Sequence, residues 1–208
     1  MKPDRPNRRT VLKAGAAGLA AGGLVPLLTG SSALARDRAD AFERRLEERR
    51  KLAIHRGCRF LADQENHGRF GKTDKAVVAL TSLSVLALMA HGSTDGRGPY
   101  GEKVSKGLNF LIERVTKRQK DLSWHEGYFY HPNDRSSRMH GQGFATLALA
   151  TALGSSTGRR YREIRDVLKK AVACIEQSQT VTGGFGYDPV SSGDHEGSVT
   201  VTVAQGLR

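Results

Sequence analysis

Three Gly-x-Phe steps, Gly68–Phe70, Gly127–Phe129 and Gly183–Phe185, recur in this chain at intervals of 59 and 56 residues. A period of that size marks one supersecondary unit used several times, and no single unit can bury its apolar face alone. Ahead of each step a small residue is followed, three and four positions on, by a mostly apolar pair. These pairs are Phe60-Leu61 after Gly57, Phe110-Leu111 after Gly107 and Cys174-Ile175 after Ala171. Such spacing puts the pair on one face of a helix. Glycine then provides the left-handed backbone of a corner, and the aromatic ring packs back onto the turn that it leaves.

Behind each corner a polar loop opens into a second apolar run. The runs are "DKAVVALTSLSVLALMA" from Asp74, "HGQGFATLALATALG" from His140 and "HEGSVTVTVAQGL" from His195. The first two are apolar nearly all round, as in a helix buried on most faces. The third is rich in Val and Thr, which by local propensity suits a strand; its place in the repeat makes it a helix. The expected fold is all-α, about three helix pairs, each with an amphipathic outer and an apolar inner helix.

The N-terminus carries a different message. Arg8 and Arg9, followed by "TVLKAG" and a mildly apolar Gly/Ala-rich stretch, have the order of a twin-arginine export signal, and Ala33 and Ala35 supply the small residues of a cleavage site. Residues 1–35 are thus expected to be a signal peptide read by the twin-arginine machinery. The mature chain then starts near Arg36, exported to the periplasm or beyond. If the segment stays attached, it ties the protein to a membrane.

The formal charge of +12 falls by four when this segment is removed, because five basic residues leave with one Asp. What remains is spread along the chain. Residues 36–51 interleave both signs at helical spacing, which describes a solvated helical lead-in and not a nucleic-acid surface. Cys58 and Cys174 sit in separate apolar helical segments without metal-ligand spacing, and read as buried small hydrophobes.

Residues 52–208 resemble the α/α-toroid family of squalene and oxidosqualene cyclases and protein prenyltransferase β-subunits. "AVACIEQSQTVTGGFG" is similar to the glutamine-aromatic repeat of the cyclases, with Phe185 where they usually have Trp. "GGFGYDPVSSGDHEG" is similar to the prenyltransferase pattern of Gly-Gly-Phe-Gly, polar loop and His-Gly, with Glu196 interrupting it. The resemblance implies a toroid of helical hairpins. Since a full ring takes about six pairs, this chain would be a partial toroid, incomplete at its C-terminus, or one half of a ring closed by a homodimer.

In a toroid the inner-helix starts meet at the mouth of the central cavity. Asp74, His140, Gln142, His195 and Glu196 are therefore the candidate ligand-binding residues, and Gly68, Phe70, Gly127, Phe129, Gly183 and Phe185 the structural corners. Two readings fit the first group: Asp74, His140 and His195 converge on a ligand or a zinc ion, or each caps its own helix or bonds the preceding loop. No cofactor is expected from the sequence itself. The cyclases' Asp-x-Asp-Asp acid and the prenyltransferases' Asp-x-Cys zinc motif do not occur, and Asp74 lies between Lys72 and Lys75, which favour its charged form. The expectation is an exported, non-catalytic scaffold that holds an apolar ligand or a protein in its concave face. The alternative is an isoprenoid-processing enzyme, a cyclase or prenyltransferase relative, whose catalytic motifs lie outside this chain.

Overall fold

The computed structural model describes residues 28–72, 75–116, 126–191 and 193–208. Their architecture is all-α apart from one two-residue hairpin. In chain order the elements are α1 (Leu28–Asp63), β1 (Glu65–Asn66), β2 (Arg69–Phe70), α2 (Val77–Ala90), α3 (Gly101–Thr116), α4 (Arg138–Leu153), α5 (Gly158–Ser178) and α6 (Gly197–Leu207). The Val/Thr-rich run is helical, as its place in the repeat requires. Arg8, Arg9 and Asp74 lie outside the described residues, and Ala33 and Ala35 fall within α1. Among the described residues no helix is long and apolar enough to cross a membrane.

The chain divides into residues 1–50 and 51–208. In the first, the charged stretch is a solvated helix face: Arg50 reaches back to Glu47 at 2.6 Å with both side chains exposed. Such a pair adds little to stability.

In the second, α2, α4 and α6 pack side by side as one row, while α3 packs on α2 and α5 on α4. Val77, Val78, Val85 and Leu88 of α2 share a core with Ala145, Ala148 and Leu149 of α4, closed by Val104, Leu108 and Leu111 of α3 and by Ile164, Val167 and Ala171 of α5. A second cluster joins Met139, Cys174, Ile175, Phe185, Val199 and Val203. The α4–α6 contact is close because both helices carry glycine there. A Cβ on Gly143 would lie 2.6 Å from the Thr202 carbonyl oxygen, and one on Gly206 would lie 2.6 Å from that of Gly143. Cys58 and Cys174 are buried and free, and burial pushes both thiols up, Cys174 to about 11. They pack as small hydrophobes.

All three corner glycines have left-handed backbone, at φ 83° for Gly68, 102° for Gly127 and 87° for Gly183, and all three phenylalanines are buried. The first and third glycines stand in a turn beyond the helix end and do not themselves terminate the helix. After Asp63 the chain makes the β1–β2 hairpin through His67 and Gly68. After Ser178 it pairs Gln179 with Phe185 and turns at Thr180–Gly183.

Two of the glycines carry a further constraint. The corner of one repeat presses on the backbone of the next outer helix: a Cβ on Gly68 would lie 2.6 Å from the Lys106 oxygen of α3, and one on Gly127 would collide with the Lys170 carbonyl of α5. Ion pairs cross the same seams, Glu65 to Lys103 at 2.7 Å and Glu126 to Lys170 at 2.9 Å. Burial raises the Glu65 pKa, but Lys103, the Gly68 N–H and Lys106 more than offset it, so the carboxyl titrates below its usual range. Gly183 has nothing within 4 Å of such a Cβ.

This difference separates two costs of the same substitution. Gly183→Ala should lose ~1 kcal/mol from left-handed backbone alone, while Gly127→Ala adds a backbone collision and should lose ~3 kcal/mol or more. Urea unfolding of the two variants, read by far-ultraviolet circular dichroism, measures the gap; equal losses would contradict the close approach of Gly127 to α5.

Candidate functional site

The inner-helix starts are held by a hydrogen-bond pattern repeated three times. In each repeat the backbone N–H of the corner phenylalanine donates to a polar side chain one turn into the following inner helix. Phe70 donates to Thr81 Oγ1 at 3.1 Å, Phe129 to Gln142 Oε1 at 2.9 Å and Phe185 to Thr200 Oγ1 at 3.0 Å. A buried N–H without a partner costs about 1–3 kcal/mol, so these three polar residues in apolar helices each answer a specific donor.

Gln142 therefore occupies a different place from the cavity mouth expected for it. It is 0% exposed, and its amide nitrogen donates to the Gly127 carbonyl at 3.1 Å and the Ala171 carbonyl at 3.2 Å. Both ends of the amide are committed to backbone, joining the corner, α4 and α5. The expectation of ligand binding is corrected to that of a structural bridge.

The helix starts are also capped, in two cases by the following repeat. Val78 N–H donates to Asp134 Oδ2 at 2.7 Å and Ala79 N–H to Ser137 Oγ at 2.9 Å, so the loop before α4 caps α2. Met139 N–H donates to the Tyr187 carbonyl at 3.0 Å, so the loop before α6 holds the start of α4. The α6 start is capped locally, with Glu196 Oε2 accepting from Val199 N–H at 2.9 Å. Carboxylates in these positions satisfy exposed N–H groups and favour the helix dipole.

Of the candidate residues, His140 and Glu196 come together through Ser198. The Ser198 hydroxyl donates to Glu196 Oε2, and its oxygen lies 2.8 Å from His140 Nε2. Serine has one proton to give, so with that proton on Glu196 it is His140 Nε2–H that donates to Ser198. The order is imidazole to hydroxyl to carboxylate. A nucleophilic triad needs the hydroxyl to donate to the imidazole and an acid to orient the imidazole's other nitrogen; this cluster runs the opposite way.

His195 faces elsewhere. Its Nδ1 lies 3.3 Å from Thr182 Oγ1 in the α5–α6 corner, and its Cβ fills the space that a side chain on Gly184 would take. Among the described residues no group of three His, Cys, Asp or Glu is placed to hold a metal ion.

The region borders a cleft of about 480 Å³ lined by Arg138, Tyr187, Asp188, Asp194, His195 and Glu196. Arg138 has a positive φ of 44°, a strained setting for a side chain that long. It forms a two-point contact with Asp188 at 3.0 and 2.5 Å and lies 5.2 Å over the Tyr187 ring. The guanidinium is thereby bound to the loop that holds α4. Asp134, Ser137, Ser198 and the Arg138–Asp188 pair were not among the residues singled out from sequence. The signal open to a reader was a polar residue inside each apolar inner run, Thr81, Gln142 and Thr200.

No protein-family model, curated protein or solved structure matches this chain.

The Ser198 hydroxyl, then the Val199 N–H, with a smaller contribution from nearby His140, hold the Glu196 carboxyl below its ordinary value of 4.5. A lowered folded pKa means that the cap is at full strength above that value and is lost as pH falls through the folded one. In an NMR titration the Val199 amide proton should shift with a midpoint below 4.5. A midpoint at or above it would show that Glu196 does not hold the helix start. Separately, Gln142→Ala strands buried backbone groups on both sides of the corner and should cost about 3 kcal/mol, measured by urea unfolding.

Proposed function

We propose that this chain is an exported α/α-toroid-type repeat protein that acts as a binding scaffold, taking an apolar ligand or a protein segment against its inner helices. The observation that carries the reading is the commitment of polar side chains at the inner-helix starts. Gln142 is a backbone bridge, Asp134, Ser137 and Glu196 are caps, and the His140–Ser198–Glu196 chain delivers its serine proton to a carboxylate. A proton-donating acid needs a carboxyl held protonated, whereas Glu196 is pulled towards its charged form. Apolar surface remains on the inner row: Leu83 of α2 is 42% exposed, and Phe144 and Leu147 of α4 are half-buried. The order of Arg8, Arg9, apolar stretch and Ala33-x-Ala35 supports export through the twin-arginine route, which would deliver the scaffold outside the cytoplasm.

Native mass spectrometry of the protein purified from the exported fraction tests this reading. The expected species is a chain beginning near Arg36 that carries an apolar molecule or a protein, and the same complex should form in the His140→Ala/His195→Ala double variant. A double variant that keeps its circular dichroism spectrum but loses both the ligand and turnover of an added prenyl diphosphate would favour the isoprenoid-processing enzyme instead.

A further inference from the structure

Two seams join a corner to the outer helix after it, and they are built alike but not charged alike. Aligning the corner glycines Gly68 and Gly127, and the pairs Phe110-Leu111 and Cys174-Ile175, puts His67 on Glu126, Lys106 on Lys170 and Arg114 on Ser178. The second seam answers its own polar groups. Lys170 pairs with Glu126 at 2.9 Å, and the Ser178 hydroxyl donates to the Cys174 carbonyl at 2.6 Å. At the first seam the corner offers His67 where the second offers a carboxylate, and α3 adds a guanidinium where α5 has a hydroxyl.

That guanidinium lacks acceptors. The Arg114 side chain is only 21% exposed, and its Nη2 stands 3.6 Å from Glu113 Oε2, beyond hydrogen-bond distance. Its Nε is buried without a hydrogen-bond partner among the described residues. The Phe110 ring, 4.7 Å beneath its Cζ, answers part of the charge but supplies no oxygen for the five N–H donors. Buried donors left in this way call for an acceptor. A cleft of about 310 Å³ opens beside them, lined by His67 of the corner and by Lys106, Asn109, Phe110, Glu113 and Arg114 of α3, and it shares no lining residue with the cleft beside α6. Asn109 Oδ1 accepts from Arg160 at 2.6 Å, so its amide nitrogen remains as a donor. His67 is exposed and holds a left-handed φ of 51°, and strain of that kind concentrates at ligand clamps.

We propose that this cleft between the first corner and α3 binds a small organic carboxylate. The guanidinium fork of Arg114 matches the paired oxygens of a carboxylate. Lys106 adds a second positive charge, and Asn109 and His67 add further donors. Lys106 and Arg114 stand against a single lining carboxylate, Glu113, which leaves one positive charge in the lining. A monoanion neutralises it, whereas a dianionic phosphate overshoots it and meets Glu113 with excess negative charge. The site is separate from the surface of α2, α4 and α6 and does not rest on the scaffold reading.

Titration of the protein with benzoate, followed by heteronuclear NMR, tests it. The backbone amides of Gly68 and Phe110 and the Arg114 Nε–H should shift saturably, while the amides of Gly127 and Cys174 at the second seam stay in place. Inorganic phosphate should bind about tenfold more weakly than benzoate. Arg114→Gln should raise the benzoate Kd about tenfold or more. Because Arg114 also packs on Phe110, the half-exposed Lys106→Gln is the second variant, with a severalfold rise expected at an unchanged circular dichroism spectrum. Glu113→Gln should act in the opposite direction and tighten binding severalfold, which a purely structural role for these residues would not produce. The absence of a saturable shift overturns the proposal. So does phosphate binding as tightly as benzoate, or a benzoate Kd that neither Arg114→Gln nor Lys106→Gln changes.

Discussion

The hydrogen bond from each corner phenylalanine N–H to the next inner helix is the interaction on which the other features depend. A corner that turns away from an outer helix and buries an aromatic ring also buries the amide of that residue, and the helix ladder cannot supply its acceptor. Thr81, Gln142 and Thr200 supply it. Each acceptor fixes where along the inner helix the corner sits, and so sets the register between a corner and the helix that it serves. Glycine at the turn then lets the corner approach the next outer helix, at Lys106 and Lys170, which transmits the register from one repeat to the next.

The same geometry accounts for the character of the candidate site. Helix starts that lie beside one another expose several N–H groups in a small area, and the repeat answers them with side chains and carbonyls from adjoining loops. Asp134 and Ser137 serve α2, and the Tyr187 carbonyl serves α4. At the start of α6, Glu196 serves its own helix. Groups whose lone pairs and charge are already engaged by the fold are poor candidates for chemistry, and that is the ground on which a binding role is proposed.

Much of the fold was legible because the residues that determine it act locally. Gly68, Gly127 and Gly183 stand out where left-handed backbone is required, and α6 could be read as a helix despite its Val/Thr content because its neighbours in the row are helices. The site was less legible, for a physical reason. The acceptors lie 11, 13 and 15 residues beyond their phenylalanines, across loops of unequal length, so no fixed spacing reveals the pairing. Gln142 consequently looked like a ligand residue beside His140. The caps on α2 come from residues more than fifty positions away.

Amide hydrogen exchange, resolved to single residues by NMR, addresses the corner bonds directly. If they hold the repeats in register, the N–H groups of Phe70, Phe129 and Phe185 should exchange as slowly as the most protected amides of α2 and α4, through opening of the repeat domain as a whole. Fast exchange at these three positions, with the helices still protected, would mean that the corners open independently and would contradict the account.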